Sequence, residues 1–502
     1  MALLQRTPHL TRGGTQIQVV LMLKRAPTSI VCPKCLTEAA SNHSLWTNSN
    51  FRNEIGMRDI QKPLRTFAMV LCAGAGLAGL GGCGIFNNST NSVSPTSSAP
   101  NFATTVVIGD SLSAGFQNGS LLDTQQPNGW ASLVAKQAKF QLALPLIAPP
   151  GAPAVLKLVS VGPPPVIQQD SGISTGRDNP TTQPYDLAVP GHLLNDVIST
   201  APALVPTSGE EIITNLVLGF PVGNAKSQMD EAIALKPTAI FLWAGNDDAL
   251  KADESGVPSS MTPVPNFTQQ FTQLLSTLHS KSKAALIVAN IPDVTAIPYL
   301  TPAATVIGTV ATQTGLSPAQ AAADLGLSVG DLVNATGQSQ MQTAIDQITK
   351  GQTVTPLTDA GFLTPSEITQ IQATVDQYNS AISQQVSAAG GVLVDIHSYF
   401  QTLQSGITIN NYKATTAFLG GIFSLDGTHP TNTGYALIAN QYIDALNKST
   451  KTNINEVDVS AVASADPLFG PNIKPSTASF SIPLNAARRI DTLVEGCKDG
   501  CL

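Results

Sequence analysis

No cysteine lies between residues 84 and 496 of this 502-residue chain. A body without disulfides relies on its apolar core alone. Charge is scarce as well. Asp, Glu, Lys and Arg make up 12% of the residues, about half the usual share of ~25%. Positive charge is in the minority, with 26 Lys and Arg against 33 Asp and Glu and a net charge of -7. Nucleic acid is thereby excluded as a main partner, because phosphate binding needs a basic surface. What is present suffices for folding. Hydrophobic residues are 42% of the chain, a share that supports a sizeable core and argues against wholesale disorder. Length allows roughly three domains at ~150 residues each. The polar remainder is Thr, Ser, Gln, Asn, Gly and Pro, which suits an exported protein at least as well as a cytosolic one.

Fold reasoning does not start at Met1. Arg58, Lys62 and Arg65 form a positive region ahead of the uncharged stretch Phe67 to Gly82. That stretch is shorter than the ~20 apolar residues of a spanning helix and is rich in Gly. It ends in Leu80-Gly81-Gly82-Cys83, which resembles a bacterial lipobox. The resemblance implies a signal peptide over 57–83, with Cys83 lipid-modified as the first residue of the mature chain and the protein exported and anchored to the cell envelope. Gly84, not Asp, follows Cys83; by resemblance to Gram-negative lipoproteins this favours the outer membrane. A signal peptide should begin a chain, so residues 1–56 are anomalous. They carry a net positive charge, whereas the rest is acidic. The expectation is that translation starts at Met57 and that 1–56 is an artefact. Cys32-Pro33-Lys34-Cys35 lies inside this segment, and one CxxC without a second pair is weak ground for zinc. Residues 84–101 are Ser- and Asn-rich and read as a flexible tether. Fully extended they reach at most ~60 Å.

From Phe102 the texture changes. Apolar runs stand at 104–108, 239–243, 285–289 and 392–394. They are continuous rather than alternating, as strands buried on both faces of a parallel sheet require. Helical patterns lie between them. Thr364-Pro365-Ser366-Glu367 is a capping box with Pro at the first helical position. It opens a helix with Ile368, Ile371, Val375, Tyr378, Ile382 and Val386 on one face, ended by Gly390. The alternation predicts a doubly wound α/β fold. Leu144 to Pro165 is Pro-rich and reads as an irregular loop. Residues 301–363 read as a helical insertion over one edge of the sheet. Residues 451–502 are a tail of unassigned role.

The sharpest chemical signal is Val106-Val107-Ile108-Gly109-Asp110-Ser111-Leu112-Ser113. A buried strand delivers Ser111 to its carboxyl end, where sites of open α/β sheets lie. Gly172-Ile173-Ser174-Thr175-Gly176 matches the G-x-S-x-G elbow by letter, but no apolar strand precedes it and no helix follows, so Ser174 is rejected. A nucleophilic Ser needs a base. His429 sits in Ser424-Leu425-Asp426-Gly427-Thr428-His429-Pro430, three residues after Asp426 and just before a helix. There the carboxylate would fix the ring's tautomer and the ring would take the Ser proton. An acyl-transfer site also needs donors for its oxyanion. Gly191 and Asn246 each follow a strand signal and supply candidates.

In this order the four segments resemble the SGNH/GDSL hydrolase family. Gly109-Asp110-Ser111-Leu112 matches its first block, Gly191 the second, Asn246 the third, and Asp426 with His429 the last. The resemblance covers about residues 102–450. It implies a flavodoxin-like three-layer α/β/α sandwich with a mostly parallel sheet. It implies Ser111 as nucleophile, His429 as base and Asp426 as its orienter. It also implies an oxyanion hole from the Ser111 N–H, the Gly191 N–H and the Asn246 side chain. Two departures stand out: Ala244 replaces the first Gly of the usual G-x-N-D, and the 301–363 insertion is large for the family. The implied activity is serine ester hydrolysis through an acyl-enzyme, with no metal or organic cofactor. Lipid esters, lysophospholipids and short acyl esters are all within its scope. A glycan O-deacetylase on the same fold and a non-catalytic binding lipoprotein are the alternatives.

Blander roles are expected elsewhere. Asp110 orders its turn. Asp247 is structural and Asp248 solvated, since two adjacent carboxylates lack the further ligands that Ca²⁺ needs. His397 has a loop or surface role, Trp243 is core, and His192 stands evenly between lining the site and not.

Overall fold

The computed structural model describes residues 98–473, apart from 163, 164 and 173. The expectations for 1–56, for the signal peptide with Cys83, for most of the tether and for the chain after 473 lie outside the described residues.

The chain enters the domain through β1 (Thr105–Gly109), buried at every position. Helix α1 (Trp130–Ala138) follows, then a hairpin of β2 (Leu156–Ser160) and β3 (Val166–Gln169). The hairpin corrects the irregular loop expected over 144–165. Leu156 is buried against Leu425 and Leu468, and the Pro residues fall around the strand rather than in it. Three short helices come next: α2 (Leu194–Ser199), α3 (Gly209–Leu218) and α4 (Gln228–Ala234). The side chains of Ser208 and Ser227 cap α3 and α4, each taking one otherwise unpaired N–H. Then come β4 (Ala239–Trp243), α5 (Asn246–Ser255), α6 (Val264–Ser282) and β5 (Ala285–Ala289).

The next segment contains β6 (Thr301–Pro302), α7 (Ala303–Thr314), α8 (Pro318–Leu325), β7 (Leu332–Val333), α9 (Ala335–Thr349) and β8 (Phe362–Leu363). Its helices enclose a separate apolar cluster that includes Val306, Val310, Leu325 and Met341. Its three strands pair antiparallel, an element the helical reading did not contain. Asn334 fastens this segment to the end of α5. Its Nδ2 donates to the carbonyls of Asp253 at 3.0 Å, Glu254 at 3.2 Å and Ala360 at 2.9 Å.

Helix α10 (Pro365–Ala388) opens on the predicted capping box. The Glu367 carboxylate accepts the Thr364 N–H at 2.8 Å, and the Thr364 hydroxyl accepts the Glu367 N–H at 3.4 Å. The domain continues through β9 (Val392–Val394), α11 (Ile396–Leu403), a hairpin of β10 (Ile407–Ile409) and β11 (Tyr412–Ala414), α12 (Asn432–Ser449) and α13 (Val459–Ala465).

The central sheet runs β1-β4-β5-β9, all parallel. Segment 185–189 lies along the free side of β1. Val107 donates to the Tyr185 carbonyl at 2.8 Å, and Leu187 and Val189 donate back to Val107 and Gly109. Counting that segment, the chain order across the sheet is 2-1-3-4-5, the flavodoxin-like winding. Successive residues point to opposite faces. Val106, Ile108, Ile240 and Leu242 join the core under α2, α6 and α10. Val107, Phe241 and Trp243 join the core under α1 and α12, where the Trp130 and Tyr442 rings stack at 3.8 Å. The winding reverses between β1 and β4, and their carboxyl ends are where such a fold opens a crevice.

Candidate active site

The turn after β1 is clasped to the end of β4. A side chain at Gly109 would collide with the Trp243 carbonyl, 2.1 Å from the position of its Cβ, so the close approach of the two strands requires Gly. The Gly109 N–H donates to Gln228 Oε1 at 3.0 Å. Asp110 spans the gap. One carboxyl oxygen accepts the Leu112 N–H at 3.1 Å; the other accepts the Asn246 side-chain amide at 2.8 Å and its N–H at 3.3 Å. Burial pushes the Asp110 carboxyl up to about 6, against the lowering effect of those bonds. Ser113 donates to the Trp243 carbonyl at 3.1 Å. Ser111 thus sits on a turn that is bonded on both sides. Among the described residues its own N–H has no acceptor, and neither has that of Gly191. Gly191 has φ +82, and a Cβ there would project into open space.

The loop from Ser424 to Pro430 carries the second half of the site. His429 Nδ1 lies 3.1 Å from Asp426 Oδ2. A carboxylate only accepts, so Nδ1 donates and Nε2 is left as the ring's acceptor. Asp426 also accepts the N–H groups of Gly119 at 2.7 Å, Thr428 at 2.9 Å and His429 at 2.8 Å. Burial alone would raise its pKa. The charge of His429 and the bonds from His429 and Thr428 outweigh burial and hold it below the usual carboxylate range. The Phe116 ring packs on the His429 ring at 4.6 Å.

Segment 116–119 ties the Ser111 turn to this loop. The Asn118 N–H donates to the Ser424 hydroxyl at 2.9 Å, and Asn118 Oδ1 accepts the Leu425 N–H at 3.1 Å. The Tyr435 hydroxyl on α12 donates to the Phe116 carbonyl at 2.7 Å. With Gly119 to Asp426, four bonds join residues some 300 positions apart.

Ser111 and His429 border two cavities, one larger than the other. Asn246 lines the larger, Gly191 the smaller, and Asp247 both. The structure therefore brings Ser111, His429, Asp426, Gly191 and Asn246 around one crevice at the sheet's carboxyl edge. Such a set can activate a hydroxyl, and the free N–H groups can receive a developing oxyanion.

Several neighbours differ from expectation. Asp248 is fully buried, not solvated, and accepts the Leu194 N–H at 2.7 Å and the Thr262 hydroxyl at 2.6 Å. Asp247 has one buried oxygen with no partner. Burial first, then the charges of Asp110, Glu254 and Asp248, push its pKa well up. His192 lines neither cavity. It is buried between Thr214 and Gln228 at 2.9 and 3.1 Å, and burial lowers its pKa to about 4. It thereby holds the Gln228 amide that receives Gly109. His397 bonds the Ile291 carbonyl from α11 and borders neither cavity. Ser174 donates to the Ala148 carbonyl at 2.8 Å and borders neither cavity. Trp243 is buried core and also forms part of the larger cavity's wall. Gln228, Phe116 and Asn118 escaped the sequence reading, because each acts through a partner distant in the chain and carries no local motif.

A parallel α/β sheet with a Ser, a His–carboxylate pair and free N–H donors at its carboxyl edge defines the class: a hydrolase of carboxylic esters. Residues 105–442 match the model of the GDSL-like lipase/acylhydrolase family, and the chain belongs to that family. No curated protein matches the sequence. Among solved structures, the chain is similar to LAE5, an alpha/beta hydrolase enzyme from the metagenome of Lake Arreo, Spain. Identity is 12% and the TM-score 0.32, over 69% of this chain and 96% of that one. It is also similar to Axe2, an acetylxylan esterase from Geobacillus stearothermophilus. There identity is 12% and the TM-score 0.31, over 70% and 95% of the two chains.

Proposed function

We propose that the protein is a serine ester hydrolase in which Ser111 is the nucleophile, His429 the base and Asp426 the residue that orients it. The observation that carries this reading is that Ser111 and His429 border the same two cavities while His429 is bonded to buried Asp426. The Ser111 Oγ adds to the ester carbonyl carbon as its proton passes to His429 Nε2. The carbonyl oxygen becomes an oxyanion held by the N–H groups of Ser111 and Gly191 and by the Asn246 amide. The Asn246 amide has two hydrogens, and one is already given to Asp110, which leaves the other for the oxyanion. The carbon–alkoxy bond then breaks, and the alcohol leaves with the proton from His429. Water, deprotonated by His429, attacks the acyl-enzyme, releases the acid and restores Ser111. The test is labelling with a fluorophosphonate probe. Labelling is expected to vanish in Ser111→Ala and to fall sharply in His429→Ala. A folded protein whose labelling survives Ser111→Ala would overturn the assignment.

The same proposal makes the chain a lipoprotein of the cell envelope, translated from Met57 and anchored through Cys83, with 84–101 as tether and 102–450 as the hydrolase domain. The lipobox letters and the positive region before them support this. Incorporation of labelled palmitate that persists in Cys83→Ser would refute it.

A further inference from the structure

We infer that the larger cavity is an acyl-chain site, so that the preferred substrates are esters of medium or long acyl chains rather than acetyl esters. This rests on the serine hydrolase reading above and names the substrate class of that site. The cavity is walled mostly by apolar residues, as sites for small ligands usually are. Of its lining residues, Ser111, Asn246, Asp247, Thr428, His429 and Tyr399 present polar side-chain groups. The Trp243 indole N–H is already given to the Asn290 carbonyl at 3.1 Å. The rest of the wall is aliphatic or aromatic.

The polar groups are not scattered. Apart from Tyr399 they lie on the segments that meet at Ser111. The apolar wall comes partly from the same segments, through Leu112, Leu250 and Pro430, and partly from others: the turn after β5, which carries Val294, then α11, and α12, which carries Ile438. The cavity is therefore polar where it meets the reacting Ser and apolar along the turn after β5, α11 and α12. An acetyl group would leave most of that apolar wall unfilled. A hydrocarbon chain matches it in chemistry. The smaller cavity is apolar at Phe116, Pro190, Ile213 and Leu250 but has three carboxyls, of Glu210, Asp247 and Glu254, in its lining. It suits the alcohol half of the ester, which leaves the apolar cavity to the acyl half.

The experiment is a chain-length series on the full protein. Rates are measured on p-nitrophenyl esters from acetate to palmitate and, in parallel, on acetates of alcohols of rising length. Each methylene that enters the cavity is expected to raise kcat/KM by up to about fourfold, until the cavity is full. The best acyl ester should then exceed the acetate by at least about tenfold. Val294→Trp and Ile438→Trp, from two separate walls, are expected to move the optimum to shorter chains. A protein that is labelled by fluorophosphonate at Ser111, yet prefers acetate or is indifferent to acyl length, overturns the acyl site and leaves the hydrolase reading standing. A preference for long-chain alcohols over long-chain acids also overturns it. Absence of Ser111-dependent labelling overturns the hydrolase reading, and the acyl site with it.

Discussion

Replacing Asp426 by Asn tests the core of the site, because the structure fixes what the change removes. Oδ2 receives the Gly119 N–H at 2.7 Å and faces His429 Nδ1 at 3.1 Å. Oδ1 receives the Thr428 and His429 N–H groups at 2.9 and 2.8 Å. An amide has one oxygen and one nitrogen. In either orientation its NH₂ group meets donors that had an acceptor before. If the nitrogen takes the Oδ2 place, the Gly119 N–H loses its partner and the imidazole must turn its lone pair to Nδ1. The proton then sits on Nε2, where it cannot be received from Ser111. In the Ser-His-Asp arrangement this wrong tautomer costs about 10⁴ in kcat, or about 5.4 kcal/mol of transition-state stabilisation. Stability falls as well, by about 1–3 kcal/mol for each buried donor left unpaired. The pH dependence has a definite sign. The Asp426 pKa is lowered in the folded state, so its contribution is complete above the ordinary carboxylate pKa and is lost as pH falls through the lower folded value. The stability gap between wild type and variant should therefore narrow in acid. The assays are kcat on a p-nitrophenyl ester and urea unfolding at several pH values. A folded Asp426→Asn protein within tenfold of the wild-type rate would show that Asp426 does not orient His429.

Asn118→Ala is expected to lower kcat about 10- to 100-fold with little change in KM. It leaves the Leu425 N–H unpaired and puts Ala at φ 53, a left-handed backbone. Asn118→Asp, which keeps the acceptor, should recover part of the loss, and equal rates for all three proteins would refute the positioning role. Asp186 is buried, with its pKa pushed up to about 8 by burial. Its carboxyl favours the folded state fully only below the ordinary carboxylate pKa, and that contribution is lost as pH rises toward 8. Asp186→Asn keeps an acceptor for the Ala188 N–H, which Asp186 accepts at 3.1 Å. In urea unfolding it should gain on the wild type by about 1 kcal/mol per pH unit between pH 5 and 8; a gap independent of pH would refute this. Asn334→Ala removes three carbonyl bonds and a helix cap. It should lower unfolding stability by about 1–3 kcal/mol, and a loss within 0.5 kcal/mol, roughly the scatter of neutral surface changes, would count against the docking role.

The strands were legible because a parallel sheet buries both faces and writes itself as short apolar runs. Those at 239–243, 285–289 and 392–394 coincide with β4, β5 and β9. The capping box was legible for the same reason: its chemistry is complete within four residues. Segment 2 of the winding, 185–189, was only faint, since polar Asp186 interrupts it and a single bridge to Val107 defines it. Asp248 was misread because two adjacent acids suggest a solvated turn. In the fold they begin α5, and a helix turns neighbouring residues about 100° apart, so Asp248 points at Leu194 and Thr262. The β2–β3 hairpin was hidden by the Pro residues around it.

The chain after the last of the four motifs has a physical reason to be there. The family match ends at residue 442, yet the described fold goes on to 473. Asp466 accepts the Thr433 N–H at 2.8 Å and its hydroxyl at 2.7 Å, in the first turn of α12. Asn440, further along α12, exchanges bonds with Val457 at 2.7 and 3.1 Å. Phe469 packs edge-on against Tyr412 and fills the space beside Gly421. Residues 421 and 433 flank the loop that carries Asp426 and His429. That loop is therefore held from two directions: by segment 116–119 on the Ser111 side, and by residues 457–469 behind it. A His three residues from its carboxylate, on a turn containing Gly427, would otherwise sample many orientations. General-base catalysis needs one of them, within hydrogen-bond reach of the nucleophile. The rigidity comes from contacts outside the motif, so the proposed chemistry rests on the surrounding polar bonds as much as on the four short blocks.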